Sequence, residues 1–264
     1  MNKLKHILST KDLSTEIIQK LFSKVATNKK QFENPTGRIV LKQKLTNKVL
    51  FKKLGKPSLL NYTIDTAAYH MGMHSIGADT DVSIKDLTYL QPDVLIFRDP
   101  EHEEDLSSSS IPIINAGCSG QDPLQAITYA FTIYSRFNKL NDLVILFGDI
   151  EHQLIRSIFY LFAKFKGIQF VFSTNSLLPD IRQHIKENDI IFAEVPFEDV
   201  SKAVHVADVV FGVSEEVSTL MKPYSTLLAV KPQNESDVRN AYYEQTTNML
   251  FTQMGLLELL LKDF

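Results

Sequence analysis

Cysteine is nearly absent: the 264 residues contain one, Cys118. An internal disulfide framework is thereby excluded, and the chain cannot assemble a cysteine metal site by itself. Long apolar runs are missing as well. Leu143-Val144-Ile145-Leu146-Phe147 is among the longest, whereas a bilayer-spanning helix needs about 20 such residues. The opening Met1-Asn2-Lys3-Leu4-Lys5-His6 holds no sustained apolar segment, so no signal peptide is expected. Neither sign of charge dominates: the formal net charge is −3 and the pI is near 6.2. Electrostatics thus gives no ground for a nucleic-acid or membrane partner. No G-x-G-x-x-G or P-loop fingerprint occurs, and His70, His74, His102, His152 and His205 lack H-E-x-x-H spacing. No metal and no cofactor is expected. Repeats of solenoid period are absent too. What remains is 44% hydrophobic and 22% charged, as in an ordinary globular protein of the cytoplasm.

The apolar residues fall into short runs separated by helical patterns. Ser14 is placed to cap a helix whose positions Ile17, Ile18, Leu21, Phe22 and Val25 share one face. Val49-Leu50-Phe51 precedes a helical stretch from Leu59 to Met71. Val94-Leu95-Ile96-Phe97 and Ile111-Pro112-Ile113-Ile114 follow. Runs that do not alternate suit strands covered on both faces, as in parallel sheets. Residues 124–137 read as a helix leading into the second half, where the grammar repeats. Leu143-Val144-Ile145-Leu146-Phe147 ends in Gly148-Asp149, and a helix follows through Ile155, Ile158, Phe159 and Phe162. Further strands are expected at Phe170-Val171-Phe172, Ile190-Ile191-Phe192, Val209-Val210-Phe211 and Leu227-Leu228-Ala229-Val230. A last helix, about residues 241–261, is long enough to dock back onto another lobe. This alternation predicts an α/β protein of two Rossmann-like lobes, each a parallel sheet flanked by helices.

Several segments also carry a family signature. They are Leu4-Lys5-His6-Ile7-Leu8-Ser9 with Asp12-Leu13-Ser14, Ile114-Asn115-Ala116-Gly117, and Asp122-Pro123-Leu124-Gln125. Phe131-Thr132-Ile133 with Leu140, Gly148-Asp149-Ile150, and Tyr243, Gln245, Asn248 with Met254-Gly255-Leu256-Leu257 complete the set. In this order and spacing they resemble the aspartate/ornithine carbamoyltransferase family, its aspartate branch more than its ornithine branch. The resemblance implies a carbamoyl-phosphate-type lobe from residues 1–136 with the returning helix 241–264. Residues 137–240 would then form an amino-acid-binding-type lobe. It further implies a homotrimer whose active sites lie between subunits.

Measured against that family, the side chains for the chemistry are largely replaced. Carbamoyl transfer needs positive charge and N–H donors around a phosphate, and donors for a carbonyl oxygen that becomes an oxyanion. Where the family has its S-T-R-T-R loop, the chain reads Leu54-Gly55-Lys56-Pro57-Ser58. Gly55, Lys56 and Ser58 are what remains there, and lysine does not reproduce the arginine fork. Arg98 stands where the R-H-P motif has its arginine, open to two readings: a ligand contact, or an ion pair with Asp99 or another neighbour. At the H-P-T-Q match Asp122 and Leu124 replace histidine and threonine, while Pro123 and Gln125 are kept. An ionised carboxylate repels an anionic substrate and cannot donate to it. Ser83 and Lys85 are read as surface residues before remnants of the loop that the family lends to a neighbouring subunit. Ser214-Glu215-Glu216 stands in place of the amino-acid-binding arginine. Lys231 lies where H-P-L-P-R has lost its histidine and arginine, and is a surface residue before a residual anion contact. A hydrogen bond to a charged group is worth about 1.5–3 kcal/mol, so four such losses would remove roughly 6–12 kcal/mol.

Other groups are weaker candidates. His102 among Glu101, Glu103 and Glu104 reads as a solvated acidic loop, and Glu151-His152 as a loop pair before an acid–base pair. Cys118 and Ser119 lack the setting of a nucleophile. The residual pocket expected from sequence is therefore Gly55, Lys56, Ser58, Arg98, Asp122, Gln125 and Lys231, with no catalytic residue assigned. The favoured reading is a family member that is inactive or strongly altered, serving as a binding or assembly subunit. It would form a homotrimer or assemble with an active homologue, with an amino acid or anion as its ligand. The alternatives are an active aspartate- or ornithine-type carbamoyltransferase, and a sensor of a different metabolite with Asp122 recognising a cationic group.

Overall fold

A computed structural model describes residues 5–55, 58–79, 81–98, 106–229 and 236–262. The chain divides into two compact units, one of Met1–Gln125 with Asn248–Phe264 and the other of Ala126–Thr247. In the first unit, helix α1 (Thr15–Phe32) starts at Ser14, whose hydroxyl accepts from Ile17 N–H. It buries Ile18, Leu21, Phe22 and Val25, four of the residues its spacing assigned to one face. Helix α2 (Pro35–Lys42) begins at Asn34, which accepts from Gly37 N–H, and carries proline in its first position. Then come β1 (Val49–Lys53), α3 (Leu59–Met71), β2 (His74–Gly77), α4 (Ile84–Tyr89), β3 (Val94–Phe97) and β4 (Ile113–Asn115). The four strands form a wholly parallel sheet in the order β2-β1-β3-β4. All seven residues of β3 and β4 are buried, which is why β3 is apolar throughout and β4 is apolar up to its last residue, Asn115.

The second unit opens in α5 (Pro123–Phe137) and continues through β5 (Val144–Phe147), α6 (His152–Phe162), β6 (Gln169–Ser173), α7 (Pro179–Glu187) and β7 (Phe192–Val195). Helix α8 (Val200–Ala203), β8 (Val209–Phe211), α9 (Glu215–Ser218) and β9 (Thr226–Leu228) follow, and α10 (Tyr242–Lys262) closes the chain. Its sheet is also parallel, ordered β7-β6-β5-β8-β9. Phe172, Phe147 and Phe211 stand opposite one another on β6, β5 and β8. Their rings stack at centroid distances of 5.2 and 5.5 Å. This in-register aromatic row lies at the carboxyl end of the sheet, one residue below its loops.

Sequence and structure differ at the sheet edges. His74-Ser75-Ile76-Gly77 forms β2 although it has no apolar run, because it is an edge strand with most of its residues exposed. The strand expected at Ile190-Ile191-Phe192 begins only at Phe192 and runs to Val195, again as an exposed edge. Val230, expected to end a strand, lies outside the described residues.

Helix α10 is tied into the first unit by charge as well as by packing. Glu258 accepts from Lys44 at 2.8 Å and faces Lys24 at 3.5 Å, and Lys44 also donates to Asn28 at 2.8 Å. Burial alone would push the Glu258 carboxyl up. The hydrogen bond and charge of Lys44, with the charge of Lys24, outweigh it and hold this group below the usual glutamate range. Glu258→Gln should therefore cost roughly 1.5–3 kcal/mol of stability in urea unfolding at neutral pH. The contribution of a carboxyl lowered on folding is present above its unfolded pKa and fades as pH falls through the folded one. The deficit of the variant should accordingly shrink when the same unfolding is measured in acid.

Candidate functional site

In the first unit, the order β2-β1-β3-β4 puts the topological switch point at the carboxyl ends of β1 and β3, the place where open parallel sheets hold ligands. Gly55 and Ser58 follow β1, Arg98 follows β3 directly, and Asp122 and Gln125 follow β4. Arg98 is fixed to the end of β1 by its N–H, which donates to the Lys53 carbonyl at 2.8 Å. Its side chain lies across Gly117, where φ is +121° and a β-carbon would come within 3.2 Å of Arg98 Nε. Only glycine adopts that conformation readily and leaves room for the guanidinium arm. Among the described residues, none forms a hydrogen bond or ion pair with the Arg98 guanidinium.

Asn115 shapes the turn beneath it. Its Oδ1 accepts from Gly117 N–H at 2.9 Å and Cys118 N–H at 2.8 Å. Its Nδ2 donates to the carbonyls of Leu8 at 2.9 Å and Cys118 at 3.2 Å. Every hydrogen-bonding position of this buried amide is used, so the turn from β4 is held to one course.

The neighbouring polar residues are committed to helix starts. Asp122 Oδ1 accepts from Gln125 N–H at 2.9 Å, and Pro123 is the first residue of α5. This is the aspartate N-cap and N1 proline combination that helices favour. Ser58 donates its hydroxyl to Asn61 Oδ1 at 2.8 Å, and its N–H reaches the same oxygen at 2.9 Å. Ser83 is the N-cap of α4, accepting from Asp86 N–H at 3.0 Å, and Lys85 is exposed. Among the described residues, nothing would lie within 4 Å of a β-carbon on Gly55. Lys56, Asp99, Glu101, His102, Glu103, Glu104 and Lys231 lie outside the described residues. His152 is the first residue of α6, and Glu151 accepts from Gln153 at 2.9 Å. Among the described residues, no group of three or more His, Cys, Asp or Glu is arranged to hold a metal ion.

The second unit holds a crevice of about 540 Å³ at its own switch point, above the carboxyl ends of β5 and β8. Gly148, Asp149 and Ile150 supply one wall, and Gly212, Val213, Ser214 and Val217 the opposite one. Phe197, Glu198, Val200 and Ser201 close a third side, and Ala229 after β9 completes the lining. Among the described residues, Asp149 and Glu198 are its ionisable lining groups. The walls meet backbone to backbone. Gly148 N–H donates to Phe211 O at 2.8 Å, and Asp149 N–H donates to Gly212 O at 2.7 Å. A β-carbon on Gly148 would lie 2.3 Å from Gly212 O, and one on Gly212 would lie 2.3 Å from Ile150 Cγ2. Gln245 of α10 donates to Ala229 O at 2.6 Å and so ties the end of β9 to that helix.

Of the residues on this crevice, the sequence reading had singled out Gly148, Asp149 and Ser214 but not Gly212, Phe197 or Glu198. A signal for Gly212 was present: β5 ends Phe147-Gly148 and β8 ends Phe211-Gly212, a repeated aromatic–glycine close of two strands. Glu198 and Phe197 sit in a single 3-10 turn, Phe197–Asp199, and nothing in their spacing marks them.

Residues 5–135 match the family model described as aspartate/ornithine carbamoyltransferase, carbamoyl-P binding domain. The aspartate carbamoyltransferase, chloroplastic, of Arabidopsis thaliana is 28% identical over 191 residues, covering 59% of this chain and 48% of the plant protein. Aspartate carbamoyltransferase 1, chloroplastic, of Pisum sativum is 27% identical, with 59% and 49% covered. The chain thus spans about half the length of the curated relatives it matches. The structure of aspartate transcarbamoylase from Trypanosoma cruzi in complex with phosphate superposes with a TM-score of 0.85 at 20% identity, covering 98% of this chain and 96% of that one. The same enzyme in complex with N-(phosphonacetyl)-L-aspartic acid gives the same TM-score, identity and coverage. At this identity the likeness establishes the shared fold.

Two substitutions probe the roles assigned above. Asp122→Ala should lower stability by about 1 kcal/mol and Asp122→Asn by only a few tenths, as expected of a helix cap, when both are compared by chemical unfolding. Gly212→Ala must accommodate a β-carbon at positive φ against the Asp149 carbonyl 2.4 Å away. It should cost about 2–4 kcal/mol, visible as a fall in Tm.

Proposed function

Since the chain belongs to the aspartate/ornithine carbamoyltransferase family, we propose that it is a member in which ordinary carbamoyl transfer is lost or strongly altered, and that it serves as a binding or assembly subunit. The observation that carries this reading is the commitment of Asp122. Where the family pattern puts a histidine able to donate to the carbonyl oxygen, this chain has a carboxylate holding the N-terminus of α5. A carboxylate cannot donate while ionised, and turned toward carbamoyl phosphate it would oppose the substrate's charge. Ser58, at the match to the phosphate loop, is tied to Asn61. The crevice of the second unit bears two acids and no basic residue among its described lining, which is poorly suited to an aspartate side chain. In this reading the first unit retains a weak anion contact around Arg98, and the protein assembles as a homotrimer or with an active homologue. A cytoplasmic setting belongs to the same reading, supported by a composition with one cysteine. No helix among the described residues is long and apolar enough to cross a membrane.

One observation favours the alternative of an active enzyme. The Arg98 guanidinium, unpaired among the described residues and laid across Gly117, keeps the fork that grips an oxyanion or phosphate bidentately. The two readings separate in a single assay. Purified protein is incubated with carbamoyl phosphate and a panel of amino acids including aspartate and ornithine, and phosphate release and carbamoyl product are followed. The expected result is no saturable turnover above the uncatalysed background. Robust turnover that Arg98→Ala abolishes would establish the active enzyme instead. Co-purification with an active homologue would identify the assembly role.

A further inference from the structure

We propose that the crevice above β5 and β8 binds a small organic cation: an amine on an apolar body, with no carboxylate. The inference goes beyond the functional reading above, because it rests on the crevice alone and holds whether or not carbamoyl transfer survives. Its volume, about 540 Å³, is that of a small-molecule site, and it lies at the switch point of a parallel sheet.

The sign of the ligand follows from donors and charges. Asp149 and Glu198 line the cavity, and among the described residues neither carboxylate has a hydrogen-bond or ion-pair partner; Lys202 feels the charge of Glu198 and is itself paired with Asp199. The strand-end N–H groups that could grip an anion are consumed, Gly148 by Phe211 O and Asp149 by Gly212 O. The tight fit of Gly212 against Ile150 and Asp149 leaves those groups no room to turn outward. Val217 N–H is likewise taken by the Ser214 hydroxyl. An anion entering here would meet two negative charges and none of these donors. A cation would meet two carboxylates that have no hydrogen-bond or ion-pair partner among the described residues, and could bond them at charge-assisted strength.

The rest of the lining is apolar and fixes the second half of the ligand. Val200 and Val213 are buried beneath the cavity, while Phe197 is 49% exposed at its side. A half-exposed phenylalanine beside two carboxylates offers a ring to an alkyl or aromatic body and a face to the ammonium itself. A dicarboxylate or α-amino dicarboxylate satisfies neither half.

Isothermal titration of the full chain tests this with four probes: butylamine, 2-phenylethylamine, succinate and 1-butanol. Both amines should bind saturably, with 2-phenylethylamine the tighter, while succinate and 1-butanol should not. Asp149→Asn and Glu198→Gln should each weaken amine binding about tenfold or more, the loss expected for one charge-assisted hydrogen bond. Both positions are exposed and both changes isosteric, and an unchanged Tm confirms intact folding. The proposal is overturned if succinate binds more tightly than either amine, or if amine affinity ignores both carboxamide variants. Absence of saturable amine binding up to about 10 mM overturns it as well.

Discussion

Strands β5 and β8 approach so closely at their ends that Gly148 and Gly212 meet backbone to backbone, with no space for a side chain on either. That contact organises the second unit. It is held from below by the in-register row of Phe172, Phe147 and Phe211, whose stacked rings set the spacing of three adjacent strands. Ser173 and Ser176 add hydroxyl donors to the carbonyls of Gly148 and Phe147. The chemistry of the crevice is a by-product of this closure. Backbone amides that face a ligand in looser sheets here satisfy the neighbouring strand, and what faces outward is side-chain carboxylate and hydrocarbon.

The first unit solves the same problem by different means. Its switch point is organised by a side chain, Asn115, which spends all four hydrogen-bonding positions on the turn after β4 and on the segment at Leu8. The turn in turn puts Gly117 under Arg98 and leaves a cationic fork at the sheet edge. Taken by itself, the first unit presents the Arg98 guanidinium at its switch point, and the second presents Asp149 and Glu198 around its crevice. Both units keep the fold of the aspartate transcarbamoylase on which the chain superposes.

Much of this was legible in the sequence, and the boundary of legibility has a physical cause. Buried strands such as β3 and β4 announce themselves because both faces need apolar side chains. The edge strands β2 and β7 do not, because their residues face solvent and carry no such constraint. Arg98, Asp122 and Gln125 could be placed from motif order, since strand-end positions are tied to strand register. What motif order could not reveal was the commitment of Asp122 and Ser58 to local caps, because a capping aspartate and a ligand-binding one look alike in one dimension. Glu198 and Phe197 were invisible for another reason. They reach the crevice from a turn whose position depends on packing, and packing leaves no periodic trace.

The cap at Asp122 has a consequence for how this protein can change. A carboxylate that once stood only in the way of a reaction could be exchanged freely for another residue. Here the same atom secures the first turn of α5, and histidine is a poorer partner for that turn than aspartate. Exchange of Asp122 for histidine would leave the first turn of α5 with a weaker cap. The cost of exchange at this position is therefore set by the helix start and not by any ligand, so tolerance of a new side chain there tracks how well it caps.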